Sequence, residues 1–384
     1  MPTLWPFAPS ENLSESQQWR TDVIRAYSTE QRVRLTEIPR TTFNFASALT
    51  YRQLDRAKLI AESVAGGAYY LPLWYAAKRF TANSGVSSIT VSTDYCGYST
   101  SGYACLWQSD EECEVIAIAS VASGSIGLES ATTRAYTNAL IMPVVVAYCR
   151  DGFEAQRDVN KLTAVSAEWE VFEGTDIGGS TIYPDYRGYP AITSVPAIGT
   201  GAVAETFGTK IDDVDNGLAV PFYDSIQSQF SRALTAAWMP DSLSDLWFTR
   251  QFFHYIKGKK GAFWLPDWTR GLTLAANISP SDTTITVQSV GLDVTGETGD
   301  LFIQDASGTQ TRLQYTAVNV SGDNEVLTLT GAAGITLSTA NATTVCRMRL
   351  CRLAQDRVEM SHLHIGSERM ITKIQVLCDE VPFA

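Results

Sequence analysis

One pattern runs twice along this chain in the same order, and no other feature limits its possible folds so tightly. In the first half, Thr50-Tyr51-Arg52-Gln53 opens a helical pattern carrying Leu54, Ala57, Ala61 and Val64. Gly66-Gly67 ends it, and Tyr70-Leu71-Pro72-Leu73-Trp74 follows. In the second half, Ser242-Leu243-Ser244-Asp245 opens a pattern carrying Leu246, Trp247, Arg250, Phe253 and Ile256. Gly258 to Gly261 ends it, and Trp264-Leu265-Pro266-Asp267-Trp268 follows. Ser or Thr three residues before Gln or Asp is a capping-box arrangement, which satisfies orphan N–H groups at a helix start. Proline holds the residue before it extended, and tryptophan is large enough to anchor a core. Leu71, Pro72 and Trp74 are therefore predicted core anchors, as are Trp264, Leu265, Pro266 and Trp268, with Trp74 and Trp268 equivalent. Downstream, Ile89-Thr90-Val91 matches Ile285-Thr286-Val287, and Ala155-Gln156 matches Ala354-Gln355. The separation of matched positions widens only slightly from Thr50/Ser242 to Ala155/Ala354. Order kept with so little drift points to an internal duplication.

Each copy reads as a strand pair, one helix, the Leu-Pro-x-Trp strand and a β-rich insert. Period-two alternation in Glu114-Val115-Ile116-Ala117-Ile118 and Glu325-Val326-Leu327-Thr328-Leu329 marks the inserts as sheet. Turn signals such as Ser123-Gly124 and Ser321-Gly322-Asp323 divide them into small sandwiches or barrels. The expected fold class is mainly β with a few helices (α+β), built as two tandem units. The first unit spans 1–77 plus 151–172, with an inserted module at 78–150. A Gly-, Pro- and Tyr-rich connector covers 173–215. The second unit spans 216–269 plus 353–384, with its module at 270–352.

A chain 45% hydrophobic and only 18% charged is expected to fold rather than stay disordered. Its formal charge of −12 disfavours a nucleic-acid grip, which needs a net basic face. A negative wall would instead let a polyanion pass without sticking. The seven cysteines form no Cys-x-x-Cys pair, and the opening residues carry no basic secretory n-region, so reduced thiols in a product made in the cytoplasm are expected. No apolar run reaches the ~18 residues a membrane span requires.

Catalytic and cofactor patterns are scarce. There is no Gly-x-Ser-x-Gly elbow, P-loop or dinucleotide fingerprint, and neither a cofactor nor a metal is expected. His254 lies among Phe252, Phe253 and Tyr255, which suits packing. His362 and His364 flank Leu363 in a strand pattern and would share a face, but lack a third ligand nearby. Asp110-Glu111-Glu112-Cys113-Glu114 reads as a solvated acidic turn. Asp212-Asp213-Val214-Asp215-Asn216-Gly217 has the composition of a calcium loop without its closing glutamate. Lys257, Lys259 and Lys260 form the one basic run, at a helix C-terminus where cations complement the dipole; an acidic neighbouring subunit is an alternative partner. Tyr103 and Trp107 in the first insert suit a core or an interface, and could also stack on sugar rings.

Taken together, these segments resemble tail proteins of long-tailed, non-contractile phages. Trp19-Arg20-Thr21-Asp22-Val23-Ile24, Glu30-Gln31-Arg32-Val33-Arg34-Leu35 and Pro39-Arg40-Thr41-Thr42-Phe43 are similar to the opening of distal tail proteins of the gene-transfer-agent-like group. Trp264-Leu265-Pro266-Asp267-Trp268 with the Thr-rich insert after it, and the return at Arg349 to Glu359, fit as well. The resemblance implies a tail-tube-like fold in each unit and a ring that continues the tail channel in the virion. The same resemblance implies tail tube, tape measure, hub and fibre proteins as partners. The doubling sets the chain apart from single-copy distal tail proteins: three fused chains could make a pseudo-sixfold ring, as in baseplate hubs, or six could form a hexamer. A host-surface, carbohydrate-binding adhesin is the alternative expectation, and a hydrolase a more distant one.

Overall fold

Alternation dictates most of the architecture. In Arg40–Thr50, Thr41, Phe43, Phe45, Ser47 and Leu49 are buried while the residues between them face outward, so the strand has one core face. The computed structural model describes all residues except 1, 27–28, 65, 158–160, 175, 198–202, 209–210, 215–221, 226–230, 296–297, 364, 366–369 and 379–384. The fold is mainly β, 51% strand against 12% helical, with two α-helices among the described residues.

The first half contributes β1 (Leu13–Gln18), β2 (Arg40–Thr50), α1 (Tyr51–Val64), β3 (Tyr69–Pro72), β4 (Tyr136–Tyr148), β5 (Phe153–Arg157) and β6 (Leu162–Val171). The second contributes β7 (Val203–Gly208), β8 (Ser231–Trp238), α2 (Leu243–Ile256), β9 (Ala262–Pro266), β10 (Ala342–Leu353), β11 (Arg357–His362) and β12 (Met370–Cys378). One antiparallel pairing scheme occurs in both. β1 pairs with β2 and β2 with β6; β6 pairs along its other edge with β5 and the end of β4, and β4 pairs with β3. Likewise β7 pairs with β8 and β8 with β12; β12 pairs with β11 and the end of β10, and β10 pairs with β9.

Both helix starts are capped as their sequences predict. The Thr50 N–H donates to Gln53 Oε1 at 2.9 Å, and the Asp245 N–H donates to Ser242 Oγ at 3.1 Å. α1 places Leu54 and Ala57 in a core shared with Trp5, Trp74 and Trp169. α2 ends on Lys257 in the left-handed region, with its N–H on the Phe253 carbonyl. Gly258 follows at φ 70°, and a Cβ there would collide with Asp356 and press on Trp19.

Each insert has its own core. Phe80, Ile89, Leu106, Ile118, Ile126 and Ile141 fill the first, and Ile285, Val287, Leu301, Ile303, Leu327 and Val345 the second. The boundaries expected at 150 and 352 meet a shared strand in each copy. β4 pairs with the insert strand Tyr103–Trp107 and with β3, so one strand serves both the insert and the unit. The connector is shorter than expected: Val203–Gly208 is a strand of the second unit's sheet. Earlier still, Ala191 bridges Trp264 in parallel, and the Ile192 N–H donates to the Trp264 carbonyl. In the first unit Leu4 pairs with Tyr70 in parallel, and the Trp5 N–H donates to the Tyr70 carbonyl. The second pairing scheme therefore begins near 191 rather than 216.

β1 also pairs with β11, Leu13 opposite His362 through Gln18 opposite Arg357. This joins the halves into one antiparallel run in the order β5–β6–β2–β1–β11–β12–β8–β7. Among the described residues, the outer edges of β5 and β7 pair with nothing.

Candidate functional site: the joint between the two units

The joint is more than one strand pairing, because charged side chains are sealed along it. Glu15 points inward from β1 and is 0% exposed. Its Oε1 accepts from Arg250 Nη2 at 2.7 Å and from Gln17 Nε2 at 3.0 Å, and its Oε2 lies 3.0 Å from His362 Nε2. The His362 ring stacks on Tyr75 at 4.3 Å, and the Arg250 guanidinium lies 4.9 Å from the same tyrosine ring. Glu15 and Tyr75 come from the first unit, Arg250 and His362 from the second.

Burial alone would raise the Glu15 carboxyl, but Arg250 and the His362 hydrogen bond outweigh it and hold it below the usual carboxylate range. Burial dominates at His362 and pushes its pKa down in spite of Glu15, so the ring is a neutral donor to a carboxylate. Burial also pushes the Tyr75 phenol up to about 12. A carboxylate, an imidazole, a guanidinium and a phenol in mutual reach have the make-up of an acid–base set. Their surroundings do not suit catalysis. All four side chains are buried, and they line neither the basic cleft of about 780 Å³ nor the smaller cavity of about 280 Å³. The arrangement suits a polar clamp between units.

A second set of contacts flanks the clamp. Asp356 accepts from the Thr21 N–H, the Thr21 hydroxyl and the Lys259 N–H, each at 2.8 Å. Trp19 leaves the end of β1 and sinks into the second unit's core, 1% exposed, with its ring edge-on to His254. The hairpin Thr21–Ala26/Thr29–Arg34 then lies over the end of α2, where Arg32 donates to the Lys259 carbonyl at 2.7 Å.

The basic run belongs to this region. Lys257 pairs with Glu37 of the first unit at 2.8 Å, and Lys257 and Lys260 line the cleft beside Arg32, Arg34 and Arg352. The acidic partner found for Lys257 is thus in the same chain. Trp74 is fully buried, whereas Trp268 is half-buried, at φ 57° and packed edge-on against Phe302 of the insert. The two tryptophans match in sequence and differ in setting. Leu71, Pro72, Trp264, Leu265 and Pro266 are buried on β3 and β9. Tyr103 and Trp107 are half-buried: Tyr103 meets Tyr70 at 4.8 Å, and Trp107 meets Trp74 at 5.4 Å while its indole N–H donates to the Pro6 carbonyl. His254 is buried in packing, as its neighbours suggest. His364 and residues 215–217 of the candidate calcium loop lie outside the described residues. Among the described residues no cluster of His, Cys, Asp or Glu could hold a metal, and no helix is long and apolar enough to cross a membrane.

Sequence reasoning missed Glu15, Tyr75 and Arg250 as partners. Glu15 and His362 stand 347 residues apart, and nothing local to either announces the other. No family model and no curated protein matches the chain.

Proposed function

We propose that this chain is a non-enzymatic ring component of a siphophage tail tip, at the distal-tail or hub position. The observation that carries the reading is the eight-strand run with an unpaired edge at each end. Its strands alternate in direction throughout, so the β7 edge of one chain meets the β5 edge of another antiparallel, as β1 meets β11 inside the chain. Such a head-to-tail contact repeats from copy to copy and closes if the rotation allows. Three chains give a pseudo-sixfold ring, six a hexamer of doubled subunits. The ring would continue the tail channel, let DNA pass without specific binding, and hold tube, tape measure, hub and fibre proteins through the outward inserts. It would be assembled in the host cytoplasm and carried in the virion.

The test is the mass and symmetry of the purified assembly, by light scattering and particle imaging. Three chains in a closed ring favour the hub position, and six favour a distal ring. A protein that stays monomeric at high concentration overturns the ring and moves the weight to the adhesin reading.

A further inference from the structure

The pairings inside the chain allow the two halves to be matched residue by residue. Pro72 and Pro266, the shared prolines of β3 and β9, lie opposite Val144 and Met348. From that match the pairings can be followed strand by strand. Ala147 faces Val171 as Cys351 faces Cys378, so β6 aligns with β12 and Trp169 with Val376. Trp169 faces Phe43 and Val376 faces Leu234. Phe43 faces Glu15, and Leu234 faces Glu205. Glu15 and Glu205 are therefore equivalent, as are the six-residue strands β1 and β7 that hold them. On the other side, Val165 matches Thr372; Val165 faces Ala155 and Thr372 faces Met360, so by pairing Ala155 is equivalent to Met360, and not to Ala354 as the Ala-Gln match in the sequence suggests. Inside the chain, Glu15 faces Met360.

Resting on the ring reading above, we infer that β7 of one chain pairs with β5 of a second copy in a defined register. Val203 lies opposite Arg157, Glu205 opposite Ala155 and Phe207 opposite Phe153. Glu205 and Arg157 form the ion pair that stands where Glu15 and His362 stand inside the chain.

The side chains at the two edges fit that occupant. Val203 is 41% and Phe207 62% exposed, apolar surface on an unpaired strand edge, which chains ordinarily protect unless another strand covers it. Phe153 is half-buried and would meet Phe207 in the pair. Glu205 already receives Arg232 at 2.8 and 2.9 Å, as Glu15 receives Arg250, so its charge is balanced on the inner side as Glu15's is. Arg157 is exposed at the far edge, where a cation would meet Glu205 from the outer side.

The experiment uses the full chain. A Thr206→Cys, Glu154→Cys double variant is oxidised and compared with Thr206→Cys, Gln156→Cys and with the unmodified protein, whose own cysteines supply the background. Disulfide-linked rings in the first variant alone are expected, because directly opposed strand positions fall within disulfide reach. Arg157→Glu, an exposed change that spares the fold, should weaken ring formation at least ~10-fold by setting two carboxylates together, with an unchanged circular-dichroism melt of the monomer. If wild-type rings form while the Glu154 pair stays unlinked, or while Arg157→Glu assembles normally, the register is wrong and the ring reading survives. If no ring forms, both fail.

Discussion

At the residue scale, the clamp sets its own energetic terms. Glu15 is tolerable in the interior because Arg250 and His362 answer it, and removing one partner exposes the cost of the other. Arg250→Met should destabilise the protein by about 3–5 kcal/mol, read from urea denaturation, because it leaves a buried carboxylate without its main counter-charge. The acid side of the stability profile follows from the same burial. His254 is held down to about 4, first by burial and then by Arg250, and His362 is lowered too. The unfolded chain takes up these protons near pH 6.5 while the folded one resists, so the stability they confer is complete above that value. For His254 it drains away as pH falls from about 6.5 towards 4, by up to about 1.4 kcal/mol per unit, and His362 adds a loss of the same sign. Glu15, lowered from an ordinary 4.5, adds a loss of the same sign at lower pH. Urea midpoints at pH 7.5, 6 and 5 should fall in that order, and His254→Phe should flatten the decline. The tryptophans separate in the same way: Trp74→Ala should cost about 3–5 kcal/mol, and half-buried Trp268→Ala clearly less. Equal losses in the two melts would restore their equivalence.

At the element scale, the local signals were the legible ones. Thr50 with Gln53, and Ser242 with Asp245, announce their helices because capping is chemistry between near neighbours. The Leu-Pro-x-Trp strands and the alternating inserts were equally plain, and so was the mainly β class. What stayed hidden depends on contacts across the chain. The start of the second pairing scheme at Ala191 falls in a stretch whose glycines, prolines and tyrosines read as loop, because Ala191 is tied to Trp264 by a parallel bridge rather than a strand ladder. The hairpin that covers the end of α2 is held by Asp356, far away in sequence. Asp356→Ala removes the acceptor of three hydrogen bonds, and should cost about 2–3 kcal/mol. The expected sign in the structure is faster amide exchange at Thr21 and Lys259 with little change in the insert cores.

At the scale of the whole molecule, sequence order and spatial order part company. The run of strands passes from the first unit into the second through β1 and β11, which belong to opposite ends of the chain. The connector is therefore not what holds the units together. A protease site inserted between Ser180 and Thr181 should yield two fragments that still co-elute in native buffer and separate only in denaturant. Fragments that part after cleavage would show that the clamp is weaker than its burial suggests.

Doubling has an arithmetic consequence as well. Each chain brings two units already joined, so any ring closed by these chains holds an even number of them; five or seven cannot occur. In the proposed ring, half of the seams would be completed when each chain folds, and errors of assembly could arise only at the other half. The two kinds of seam are also free to drift apart in sequence, since no mutation in one is copied into the other. In the proposed register, Glu15 with His362 at one seam and Glu205 with Arg157 at the other would be the outcome of that freedom.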